Sequence, residues 1–165
     1  MKKKPLVVGY QQKYKSTSGE EKTKEVKRQV VPDAFIEFRK KLDTGKIRQY
    51  AYLIELDRGT AAERYFKEKI EKIYMSIKQG VAFEYFGVKR ISGVLFPTVA
   101  GANRVLWMQK HAMEKLTELH ASPEMIALFL FGIQPHDGRI DIQETFFTPW
   151  WIEPRKEKEA VTLLI

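Results

Sequence analysis

YLIELDRGT, residues 52–60, sets an apolar strand beside two acids. Leu53, Ile54 and Leu56 read as a buried strand, yet Glu55 and Asp57 interrupt it. Side chains alternate along a strand, so Glu55 and Asp57 share one face with Ala51 and Leu53, and Tyr50, Tyr52, Ile54 and Leu56 take the other. Upstream, PDAFIEF alternates Ala34, Ile36 and Phe38 against Asp33, Phe35 and Glu37, the period of a second strand. Asp43, Thr44 and Gly45 supply a turn signal between the two, so residues 33–57 are predicted to form an antiparallel hairpin. Pairing sets Asp33, straight after Pro32, beside Glu55 and Asp57. Three carboxylates at one end of a sheet repel one another unless a cation or basic group neutralises them. An all-oxygen set suits a hard cation such as Mg²⁺, held by one or two carboxylates with water and phosphate oxygens. Asp33, Glu55 and Asp57 are therefore the candidate metal ligands.

The same carboxylates have structural explanations. Asp57 can bind Arg58, Arg64 or the start of the next helix, where negative charge is favoured. Glu55 can form a buried salt bridge to Arg104 or Lys69. Asp33 can simply open a strand.

Around this hairpin, helices and strands alternate. Thr60 and Glu63 form a capping-box pattern before ERYFKEKIEKIYMSIKQ, where Tyr65, Phe66, Ile70, Ile73, Tyr74 and Ile77 recur at helical spacing, and Gly80 fits just past the end. KRISGVLFPTV is a buried strand, and GANRVLWMQKHAMEKLTELH a second amphipathic helix. SPEMIAL reads as a short capped helical turn, LFLFGI as a further strand, and FFTPWWIEP as a late aromatic segment. At the other end, PLVVGYQ reads as a short strand and KYKSTSGEEKTKEVKRQ as an exposed loop or frayed helix. The expectation is an α/β fold with a mixed central sheet and flanking helices, in a single domain spanning 1–165 whose residues 1–30 form a basic, partly flexible segment.

Composition narrows the function classes. The chain has 165 residues, is 44% hydrophobic, and has no cysteine, which excludes a disulfide framework and a cysteine zinc site and fits a reducing, cytoplasmic setting. Apolar runs such as MIALFLFG fall far short of the ~18–20 residues of a membrane span. The net charge is +8, with 14 Lys and Arg against 6 Asp and Glu in residues 1–50 and 15 against 15 in the rest. Clustered cations favour nucleic acid through counterion release, and Lys13, Lys15, Lys22, Lys24, Lys27, Arg28 and Arg58 are the candidate DNA contacts; a solubilising tail is the plainer alternative. His111, His120 and His136 show no ligand spacing and read as ordinary. No Ser-His-Asp context and no glycine-rich phosphate loop is present. Trp107 reads as core, and of the adjacent Trp150 and Trp151 one faces inward and one outward, the outward one a candidate DNA or partner contact.

VPDAFIEF followed by YLIELD resembles the PD-(D/E)xK nuclease superfamily, in which the Asp and Glu hold Mg²⁺ and a Lys positions or activates the attacking water. Asp57 stands where that Lys is expected. Some members take the basic group from the following helix, where Arg64, Lys67, Lys69 and Lys72 lie. The resemblance implies a restriction-endonuclease-like core and a catalytic set of Asp33, Glu55, Asp57 and Lys69. A longer string is similar to the replication-relaxation family of plasmid and phage proteins: Pro32 and Asp33; Glu55, Asp57, Arg58, Gly59 and Thr60; Lys69 or Lys72 with Tyr74; Arg104; and Pro149 with Trp150. It covers residues 30–165 and corresponds to that family's C-terminal domain, without the N-terminal winged helix many members carry. Three readings follow: a DNA-associated domain of a replication-relaxation type protein whose nuclease-like core is degenerate; an active Mg²⁺-dependent endonuclease; and a non-enzymatic domain docking a replication partner.

Overall fold

In a computed structural model of the chain, residues 6–134, 151–152 and 160–161 are described. Leu6–Lys15 (β1) and Glu21–Val30 (β2) pair antiparallel, from Leu6↔Val30 to Lys15↔Glu21. Ser16 N–H donates to the Glu20 carbonyl at 2.9 Å across the turn, where Gly19 takes φ +82°. This overturns the expected loop or frayed helix. The outer half of β2 is exposed on both faces, so it carries no apolar period for sequence reading to detect. Among the described side chains, burial is at the base of the hairpin, through Leu6, Val8 and Val30, which join the main core.

Ala34–Lys41 (β3) and Ile47–Ile54 (β4) form the expected antiparallel pair, Ala34↔Ile54 to Lys41↔Ile47. Glu63–Lys78 (α1) and Val81–Phe86 (α2) then lead to Gly93–Thr98 (β5), parallel to β4. Ala102–Glu118 (α3) and Pro123–Ile126 (α4) lead to Phe129–Ile133 (β6), parallel to β5. Trp151–Ile152 (β7) and Ala160–Val161 (β8) continue the sheet antiparallel, giving the order β3-β4-β5-β6-β7-β8. The sheet is thus mixed and the fold α/β. Among the described residues no helix is long and apolar enough to cross a membrane.

The helices bury one face of this sheet. Phe66, Ile70, Ile73 and Ile77 of α1, Val105, Met108, Ala112 and Leu116 of α3, and Ala51, Leu53, Val94, Phe96, Phe129 and Phe131 of the strands form one core. The spacing of three and four along α1 and α3 is what turns these side chains to the same side. The opposite sheet face carries a second cluster built from strand residues alone: Tyr50, Tyr52, Ile54, Leu95, Leu130 and Trp151. Trp151 is the inward tryptophan, 1% exposed, its ring so close to Gly132 that a Cβ there would stand 3.2 Å from it. Trp150, Pro149 and His136 lie outside the described residues.

The capping expectation for α1 is corrected. The N-cap is Ala62, which makes no side-chain cap bond, and Thr60 lies two residues upstream. Residues 57–61 are instead drawn into contacts with β5 and α3, which moves the helix start onward. The turn expected at SPEMIAL holds: Ser122 Oγ accepts from Met125 N–H at 3.3 Å, with Pro123 in the first turn.

Candidate functional site: a carboxylate and lysine pocket at the strand ends

β4 and β5 run parallel, so their carboxyl ends lie together, and the antiparallel β3 starts at the same edge. Open α/β sheets place ligand sites at such carboxyl ends. The β3–β4 register runs on past Ala34↔Ile54 to bring Asp33 opposite Glu55. Asp33 Oδ2 accepts from Leu56 N–H at 2.8 Å. Asp33, Glu55, Asp57 and Lys69 all line one cavity of about 330 Å³, together with Arg58, Tyr65, Phe66 and Phe96.

The three acids are not equivalent there. Asp57 is 9% exposed and its oxygens are fully occupied. Arg104 Nε donates to Oδ2 at 2.9 Å and an Arg104 terminal nitrogen to Oδ1 at 2.8 Å, a bidentate fork. Thr98 Oγ1 and Gly59 N–H also donate to Oδ2, at 2.9 and 3.0 Å. Burial pushes the Asp57 carboxyl up, but Arg104, Thr98 and Gly59 outweigh it, and the net effect holds it below the usual range. Arg104 also donates to the Ala61 carbonyl at 3.1 Å and lies 3.8 Å over the Trp107 ring, which packs on Phe66. Asp57 thus ties the end of β4 to β5 and to the first turn of α3. The arginine it uses, Arg104, is not among those its sequence neighbourhood suggested, because only the fold brings residues 57 and 104 together.

Glu55 is 2% exposed and pairs with Lys69 Nζ at 2.7 Å. Burial raises its carboxyl, Lys69 partly offsets that, and the charge of Asp33 adds to the rise. Asp33 Oδ1 and Glu55 Oε1 take no hydrogen bond from another described residue. Two carboxylates with spare oxygens on an open cavity fit the mixed protein and water coordination that Mg²⁺ prefers. Asp57, with both oxygens spent on Arg104, does not offer the same.

Gly59 shapes the pocket wall. It adopts φ +78°, and a Cβ built on it would stand 2.6 Å from Ala100 Cβ. The sequence assigned this glycine to the tight strand-to-helix turn, and both the backbone angle and the contact require it. Gly59→Ala is expected to cost about 1–3 kcal/mol of stability, measured by urea unfolding. A variant as stable as the wild type would contradict the close approach.

A second polar cluster escaped sequence reading. Lys67 Nζ lies 2.6 Å from Glu63 Oε1 and 2.7 Å from Glu114 Oε2. His111 Nδ1 lies 3.0 Å from Glu114 and 3.5 Å from Glu63. The ligand atoms of Glu63, His111 and Glu114 all fall within 4.8 Å of one another, a grouping that could hold a metal ion. The Lys67 ammonium already occupies the cationic position between the two acids. The signal in sequence was only Glu63 with Lys67 and His111 with Glu114 at helical spacings; the packing of α1 on α3 completes it.

The candidate DNA contacts are dispersed. Arg58 is exposed on the pocket rim. Lys22, Lys24 and Arg28 alternate onto one face of β2 and Lys27 onto the other. Lys22 and Lys27 each lie 3.8 Å from a neighbouring acid, Glu20 and Glu25. Lys13 and Lys15 sit on β1 opposite Thr23 and Glu21, their side chains outside the described part. Comparison with family models, curated proteins and solved structures returns no match for this chain.

Proposed function

We propose that this chain is a DNA-associated domain of the replication-relaxation type, built on a restriction-endonuclease-like core. The observation that carries the reading is the convergence of Asp33, Glu55 and Lys69 on one open cavity at the carboxyl end of β4. In this reading Asp33 and Glu55 would hold Mg²⁺, which supplies Lewis-acid polarisation of a phosphodiester when bound. Lys69 is the basic group, contributed from the helix rather than from the strand. Its ammonium, 42% exposed and adjacent to Glu55, is placed to stabilise negative charge developing on phosphate oxygens. Asp57 belongs to the scaffold through Arg104 and orients the strand end that presents Glu55.

The test is nicking of supercoiled and single-stranded DNA in Mg²⁺ or Mn²⁺. Wild type is expected to nick, and Asp33→Ala and Glu55→Ala each to lower the rate by at least about 100-fold, the scale of losing a group that stabilises the transition state. Nicking that survives both substitutions would discard the site. A second reading, a non-enzymatic docking domain for a replication partner, is favoured by the closed Glu55–Lys69 pair. DNA binding without nicking leaves a DNA-associated domain whose core does not cleave; neither binding nor nicking under either metal selects the docking domain.

A further inference from the structure

We infer that a groove at the opposite end of the sheet is a phosphodiester-binding surface, separate from the carboxylate pocket. The inference rests on the DNA-associated reading and adds the surface that grips the nucleic acid. The groove is about 440 Å³ and is lined by Arg39, Ile47, Arg48, Gln49, Lys89 and Arg90. These come from the end of β3, the start of β4 and the loop before β5. Gln49 and Glu55 are six residues apart on or just beyond β4, so groove and pocket stand about 20 Å apart at ~3.3 Å per residue.

Three observations point to an anion here. First, the register sets Lys40 directly opposite Arg48. Like charges facing each other across an antiparallel pair destabilise the hairpin, so folding alone gives no reason to place them there. Second, three of the four groove cations lack an acid. Arg39 pairs with Glu37 at 2.6 Å, but Arg48, Lys89 and Arg90 make no ion pair among the described residues. Third, all four groove cations are exposed. Arginine forks match pairs of phosphate oxygens, and the high charge density of DNA rewards each neutralised contact by counterion release more strongly than an acidic peptide does. Five of the fourteen cations that charge counting assigned to residues 1–50, namely Arg39, Lys40, Lys41, Lys46 and Arg48, sit at the far end of the β3–β4 hairpin, and Lys89 and Arg90 extend this patch from outside that region.

The test is fluorescence anisotropy with a labelled DNA duplex over a salt series, using the full chain and the variant Arg48→Glu/Lys89→Glu/Arg90→Glu. Binding is expected to weaken by at least about tenfold, and the slope of log affinity against log salt to shrink by about 3. Arg48→Gln/Lys89→Gln/Arg90→Gln is measured alongside, with circular dichroism, so that a folding defect in the reversal variant does not decide the result. Lys22→Glu/Lys24→Glu on the hairpin is expected to change the slope less. Undiminished DNA binding in the groove variants overturns the inference and leaves the DNA-associated reading standing. Absence of DNA binding by the wild type overturns both. Displacement of DNA by poly-glutamate at equal charge concentration assigns the groove to an acidic protein partner and also overturns the inference.

Discussion

Asp57→Ala is expected to lower the thermal unfolding midpoint by about 6–20 °C, corresponding to about 3–5 kcal/mol for breaking a buried ion pair in a chain of this size. The effect is large because the substitution leaves the Arg104 side chain, 12% exposed, without its carboxylate, and leaves Thr98 and Gly59 without an acceptor. Arg104→Ala is expected to cost a similar amount, since it strips a buried Asp57 of both its fork bonds. The double variant should cost clearly less than the sum, because the second change removes a charge the first has already orphaned. Acid should act in the same direction. The Asp57 carboxyl is held below its usual range, so its contribution is present at neutral pH and is lost as pH falls through its folded value. Additive single and double variants by calorimetry would show that the two residues are not partners.

Lys69→Met is expected to cost about 2–4 kcal/mol at mildly alkaline pH, and the loss should shrink on acidification. The substitution strands Glu55, whose side chain is 3% exposed, and the cost is discounted because Lys69 itself is 42% exposed and screened by water. The sign follows from Glu55. Its folded carboxyl titrates above its unfolded value, chiefly through burial. The native state therefore binds more protons between those two values, and stability rises as pH falls through that window. Removing Lys69 takes away the group that opposes the rise, so the window widens upward. Glu55→Gln should instead lie within about 1 kcal/mol of wild type and flatten the response, since the exposed lysine returns to water. Urea midpoints from acid to mildly alkaline pH check both. A Lys69→Met variant whose deficit does not change with pH would remove Glu55 from the account.

Where a segment buries one side, the sequence carried enough to place it. The alternation through PDAFIEF and YLIEL gave the β3–β4 pairing and set Asp33 across from Glu55. The spacing of Phe66, Ile70, Ile73 and Ile77 gave α1, and that of Val105, Ala112 and Leu116 gave α3, although Leu106, assigned to the same side, is exposed and Met108, not assigned to it, is buried. Where burial is absent on both sides, as along the outer half of β2, nothing marks the strand except its partner. Contacts between distant elements were illegible for the same reason. Lys69 could be named as a partner for Glu55 because a helix directly follows the strand. Arg104 with Asp57, and Lys67 with Glu114, depend on where α3 lands. The burial of the second sheet face by Tyr50, Tyr52 and Trp151 also depends on strand order, which alternation within a single strand does not encode.

The Asp57 fork spans a long stretch of chain: its partner is 47 positions away, and Thr98, which donates to the same oxygen, is 41 away. The crossover from β4 to β5 must be complete before either contact closes. Such an interaction is expected to close late in folding, because the entropy of closing so long a loop precedes any return. It acts as a latch instead, engaging last and lengthening the lifetime of the finished molecule rather than hastening its assembly.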